Sequence, residues 1–142
     1  MNSEVHRRAG AACRSVVLLP PDILRPTEEI LASRLREVGD RILADGVWQE
    51  PILVERTSLI VMDGHHRHAF ALAHGFARVP CLLLSYSDVA LESRREDQLV
   101  TPEEVINRGL TGRLYPAKST RHIIPEEVKL TCNYSLQTLR NI

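Results

Sequence analysis

Aromatic residues are scarce in this chain, 4% of the total with a single tryptophan, so its core must rest mainly on aliphatic packing. Cysteine is scarce too: Cys13, Cys81 and Cys132 are far apart, odd in number and never in a CxxC pair. That argues against a disulfide framework or a structural zinc site and fits a reducing cytosol, so a cytoplasmic protein is expected. No charge of either sign is in excess, since 18 basic residues balance 18 acidic ones. The bulk electrostatic case for a nucleic-acid or membrane partner is therefore weak. Long apolar runs are absent as well, and none is expected to span a bilayer. The opening MNSEVHRRAGAACRS lacks the apolar stretch of a signal peptide, and residues 1–14 read as a flexible tail. The remainder, 15–142, is long enough for one domain with a modest core.

What is present is an alternation of strand-like and helix-like patterns. SVVLLP (15–20) reads as a first strand stopped by two prolines, and PDILRPTEE as a loop. Leu31, Leu35, Val38 and Ile42 then recur at helical spacing, which predicts a helix over about 29–44 that buries all four. Thr27 is its expected N-cap, with Glu28 and Glu29 in the first turn, and Asp45-Gly46 its end. Two strands follow, 51–55 and 59–62, around a tight turn at 56–58. A second helix begins in DGHHR, with Ala69, Phe70, Leu72 and Ala73 expected to face inward and Gly75 to end it. RVPCLLLSY (78–86) reads as a buried strand. Thr101, Pro102 and Glu104 mark a third helix as cap, first residue and capping-box partner. GRLYPAKSTRHIIP reads as a loop. The expected fold class is α+β, a small mixed sheet with packed helices, its strands at 15–19, 51–55, 58–62 and 78–84.

The run VMDGHHRHAFALAHG (61–75) concentrates the chemistry. A strand leads through a tight turn into a helix start, where unbonded backbone N–H groups and the helix dipole welcome an anion. Gly64 lets a phosphate approach the backbone closely, while His65, His66 and Arg67 add donors. The plainer reading makes Asp63 a helix cap and the rest a solvated first turn. Zinc is the weaker option, because no HExxH or CxxC spacing completes a tetrahedral set. A hard cation such as Mg2+, held by one carboxylate and phosphate oxygens, needs fewer protein ligands.

DGHHR, the upstream QEPILVERTSLI and the later YPAKSTRHIIP together resemble the free L-serine kinases of the ParB/sulfiredoxin-like superfamily, over roughly residues 15–125. The resemblance implies that fold and an enzyme that makes O-phospho-L-serine from free serine and ATP or ADP. It puts the family's catalytic glutamate at Glu28 and its phosphate-binding turn at Asp63, Gly64, His65, His66 and Arg67. Its C-terminal polar segment falls on Lys118, Ser119, Thr120, Arg121 and His122, implied nucleotide- or phosphate-binding residues. Archaeal members carry a long insertion before that segment; here 85–97 is the stretch available to replace its contacts. His68 stands where the family often has tryptophan.

The chemistry is sensible without the resemblance. Phosphoryl transfer needs cations around the moving group, an aligned hydroxyl and a carboxylate to take its proton. Glu28 or Glu29 supplies the carboxylate; Asp63 either holds Mg2+ or orients the acceptor hydroxyl; Lys118 and Arg121 supply cations. The plain alternative for AKSTRH is a solvated basic loop. Two other functions compete: a DNA-binding ParB-like protein, which lacks support from charge or a helix-turn-helix segment, and a non-catalytic nucleotide-binding regulator. Sulfiredoxin chemistry lacks its nucleophile, since His65 occupies the cysteine's position.

Overall fold

The structure is a computed structural model that describes residues 15–141. The tail expected over 1–14 lies outside the described residues. A four-stranded mixed sheet has the order β1-β5-β3-β4, formed by Val16–Leu19, Val79–Leu84, Ile52–Glu55 and Val61–Asp63 respectively. β5 runs antiparallel to β1 and parallel to β3, and β3 antiparallel to β4. These are the four strands expected to share a sheet. Side chains alternate across it, and each face is covered. Ile52, Val54, Val61 and Cys81 pack with Trp48, Phe70 and Leu139 on one face. Ile60, Met62, Leu82 and Leu84 pack with Val105 and Tyr115 on the other. Burial on both faces is why β5 reads as a continuous apolar run rather than an alternating one.

The β3–β4 turn is held by a buried acid. Glu55 Oε1 accepts hydrogen bonds from the Ser58 N–H at 2.7 Å and the Ser58 hydroxyl at 2.6 Å. Leu59 just after it takes a left-handed conformation, φ 62°. Two smaller pairs of strands were not anticipated: β2 (Val47–Trp48) with β8 (Tyr134–Ser135), and β6 (Ala90–Ser93) with β7 (Thr120–Ile123). Thus part of the segment read as a loop around KSTRH is a strand.

Helix α1 spans Ala32–Asp45 and ends on Gly46 in the left-handed conformation, as expected. Its start corrects the sequence reading. Thr27 is not the cap; Leu31 is, with no side-chain bond, and Glu28 and Glu29 precede the helix. Residues 25–29 instead run as an extended segment between Ile60 and Tyr115. The burial of α1 also differs: Leu35, Val38 and Ile42 are half-buried, but Leu31 is exposed. Gly39 is the buried residue, because Phe70 of α2 packs so closely that a Cβ would stand 3.0 Å from its ring.

Helix α2 spans His65–Ala73 and turns His68, Phe70 and Ala71 inward, leaving Leu72 and Ala73 exposed. Buried His68 has a partner, with its Nε2 2.7 Å from the Pro21 carbonyl. Helix α3 (Pro102–Thr111) opens as predicted, with Thr101 Oγ1 accepting from the Glu104 N–H at 3.1 Å. The Glu104 carboxylate does not close the box; it takes a 2.9 Å bond from Arg108. Helix α4 (Leu136–Arg140) closes the apolar cluster around Trp48.

Candidate active site

The site forms where β4 runs into α2. Gly64, with φ 104°, is the residue at the helix start, a conformation that side chains resist. Asp63, the last residue of β4, has a largely exposed carboxylate 4.0 Å from Arg67 Nη2. The first-turn N–H groups of α2 lie beyond any intrahelical acceptor and face a cleft of about 760 Å³.

The histidines of DGHHR hold the loop above that helix start. His65 Nε2 accepts hydrogen bonds from the backbone N–H of Thr27 at 3.0 Å and of Glu28 at 3.3 Å. His66 Nε2 accepts from the Leu31 N–H at 3.1 Å. Accepting at Nε2 leaves the ring proton on Nδ1, so each imidazole works as a neutral group. The electrostatics agree. Burial, with His68, His122, His66 and Arg67 nearby, lowers the His65 pKa to about 3. Burial and Arg34 lower that of His66, against the pull of Glu28. Arg67 is also engaged: its Nη1 donates to the Glu50 and Pro51 carbonyls at 2.6 and 2.9 Å.

Glu28 reaches the same cleft from the other side. Backbone bonds between Tyr115 and residues 27 and 29 bring its segment beside the start of β7. There Glu28 Oε2 accepts from the Thr120 N–H at 2.6 Å and from its hydroxyl at 2.5 Å. The structure therefore brings Glu28, Asp63, Gly64 and the His65–Arg67 turn together with Lys118 and Thr120 around one cleft.

Ser119, Arg121 and His122 do not line it. Ser119 is buried and donates to the Pro116 carbonyl at 2.6 Å. Arg121 projects outward, 3.8 Å from Glu92. His122 turns inward, its Nε2 2.7 Å from the Tyr86 hydroxyl, and burial lowers its pKa to about 4. Three cleft arginines escaped the sequence reading: Arg34 and Arg41 on α1, and Arg94 after β6. The first two stand seven apart on one helical face, a spacing that was legible; nothing in the sequence pointed to Arg94. Among the described residues no group of three or more histidines, cysteines or acids is placed to hold a metal. Asp63 can offer one oxygen to a cation bound mainly through phosphate.

No family model matches the chain. A ParB-like protein of Sulfolobus acidocaldarius is 30% identical over 86 residues, 61% of this chain and 43% of that protein. An ATP-dependent L-serine kinase of Staphylothermus marinus is 37% identical over 76 residues, 51% of this chain and 30% of that one. The chain thus spans less than half the length of these curated relatives. Among solved structures, a free serine kinase mutant in complex with AMP superposes with a TM-score of 0.79 at 16% identity, covering 89% of this chain and 94% of that one. C-terminally truncated SbnI from Staphylococcus aureus gives 0.78 at 15% identity, covering 89% of each chain. In sequence the chain is similar to ATP-dependent L-serine kinases and a ParB-like protein over part of their length, and its fold is that of the solved free serine kinase and SbnI.

Proposed function

We propose that the chain is a nucleotide-dependent kinase that phosphorylates the hydroxyl of free L-serine to O-phospho-L-serine. The observation that carries this is the placement of Glu28. Its carboxylate is held at one oxygen by Thr120 and stands across the cleft from the anion-welcoming start of α2. Oε1 takes no hydrogen bond from the described residues and is the oxygen available as a base.

On this reading the donor's phosphates lie against the N–H groups of His65, His66 and Arg67, with Gly64 admitting close approach. The Nδ1–H groups of the two neutral imidazoles serve as donors, and Lys118 faces the same cleft as a cation. The serine hydroxyl oxygen attacks the terminal phosphorus as its proton passes to Glu28, and the shortened nucleotide leaves with the bond's electrons. Mg2+ fits the exposed Asp63 carboxylate as a single protein ligand, and when bound it would offset phosphate charge. The relatives named ATP-dependent L-serine kinase support serine as acceptor and ATP as donor. A free serine kinase mutant of the same fold solved in complex with ADP supports a nucleotide ligand.

Phosphorus NMR of the purified chain with Mg2+, serine and either ATP or ADP tests the proposal. A phosphomonoester signal that grows with serine and nucleotide together is expected. Saturable nucleotide binding without that signal would favour a non-catalytic regulator.

A further inference from the structure

β6 ends beside the turn that precedes β7, and three consecutive residues fasten the two. Ser93 Oγ accepts from the Arg95 N–H at 3.2 Å and donates to the Arg95 carbonyl at 2.5 Å. The Arg94 N–H donates to the Ser119 carbonyl at 2.9 Å. The Arg95 guanidinium donates to the Ala117 carbonyl from Nε at 3.2 Å and Nη2 at 2.7 Å. Between those two carbonyls sits Lys118 in a left-handed conformation, φ 60°, which a side chain adopts only when its surroundings impose it. One arginine of the pair is thus consumed in bracing the turn. The other, Arg94, lines the cleft that Lys118, Thr120 and Glu28 also line.

Arg94 and Lys118, like Arg41 on α1, make no side-chain hydrogen bond or ion pair among the described residues. Arg34 is paired with Glu37 at 3.3 Å, and Arg67 is bound to two carbonyls. The phosphate end of the cleft already has the α2 start. With Lys118 serving the donor, Arg94 is a free cation beyond what a neutral alcohol needs. An amino-acid acceptor, by contrast, brings a carboxylate to the Glu28 end together with its hydroxyl, and the planar guanidinium fork matches a carboxylate in two bonds.

We propose that Arg94 binds the α-carboxylate of the acceptor and so sets the preference for a hydroxy amino acid over a simple amino alcohol. This rests on the serine-kinase reading above.

Steady-state kinetics of the full chain with serine and with ethanolamine, which lacks the carboxylate, tests it. Arg94→Ala is expected to raise the KM for serine by about tenfold, the loss of an exposed charge-assisted pair, while nucleotide affinity holds. Arg94→Lys should fall between, and the preference for serine over ethanolamine should collapse in Arg94→Ala. An unchanged serine KM, an undiminished serine preference, or a loss confined to nucleotide affinity would overturn the assignment while the kinase reading stood. A wild-type chain that never phosphorylates serine would overturn both.

Discussion

Thr120 grips Glu28 from 92 positions away in the chain, giving one carboxylate oxygen both its backbone N–H and its hydroxyl. The pairing aims a side chain that no helix or strand of its own would hold. Glu28→Gln keeps that shape and removes the basicity. Its kcat should fall by about 10²–10⁴-fold with nucleotide affinity nearly unchanged. Rapid-quench or NMR assays check this, and wild-type turnover in the variant would remove the general-base role.

Gly64 carries the second expectation. A Cβ there would stand 2.9 Å from Arg67 Nη2, and that guanidinium cannot yield because Glu50 and Pro51 hold it. The backbone, at φ 104°, is also strained for any side chain. Gly64→Ala should cost about 1–3 kcal/mol in denaturant unfolding and weaken ADP binding in the same preparation. Normal binding by a stably folded variant would argue against phosphate at this turn.

Arg67 leads to a third. Its bonds to two carbonyls make it a structural tie as well as a candidate phosphate ligand. Arg67→Ala should therefore lower unfolding free energy by about 1–3 kcal/mol in the absence of any ligand. A variant that lost nucleotide affinity alone, at full stability, would show that those ties contribute nothing.

Acid should destabilise the fold through two half-buried histidines. Their folded pKa values, about 3 for His65 and about 4 for His122, lie below the usual 6.5. The unfolded chain then binds protons first, so this stability is complete above pH 6.5 and is lost as pH falls toward those lower values. Each group removes on the order of 1.4 kcal/mol per pH unit within its window. Melting temperatures between pH 7 and 4 should fall, and His122→Gln should make the decline shallower. For His66, neutral through its bond from Leu31, nucleotide affinity should stay level from pH 6.5 upward as far as this ring is concerned.

Packing behind the site yields the last. A Cβ on Gly109 of α3 would collide with Ile60 and approach Thr27 Cγ2 at 3.2 Å. Gly109→Ala should cost about 1–3 kcal/mol, because Ile60 is fully buried and its neighbours must shift. Since Thr27 leads directly into Glu28, turnover should fall with it. Full stability and full turnover together would contradict this packing.

The sequence by itself determined what depends on neighbours in the chain. Proline stopped β1, Gly46 ended α1, and a continuous apolar run marked β5. Thr101 and Pro102 announced α3, and Gly64 before a helical pattern announced the strand-to-helix turn. Tertiary structure decided what depends on a distant partner. Thr27 has the chemistry of a helix cap, yet Val61, His65 and Tyr115 draw its segment into extended structure before α1 can begin. The face that α2 buries was set by the crossing of Phe70 over Gly39, not by its own apolar count. His65 and His66 are alike in sequence with any donor histidines; only the N–H groups of Thr27, Glu28 and Leu31 turn their Nε2 atoms into acceptors. Ser119, Thr120 and Arg121 are adjacent, but the β6–β7 pairing sends one to the core, one to Glu28 and one to solvent. A side chain's direction is chosen by whichever long-range hydrogen bonds and packing contacts stabilise it, and these have no local signature.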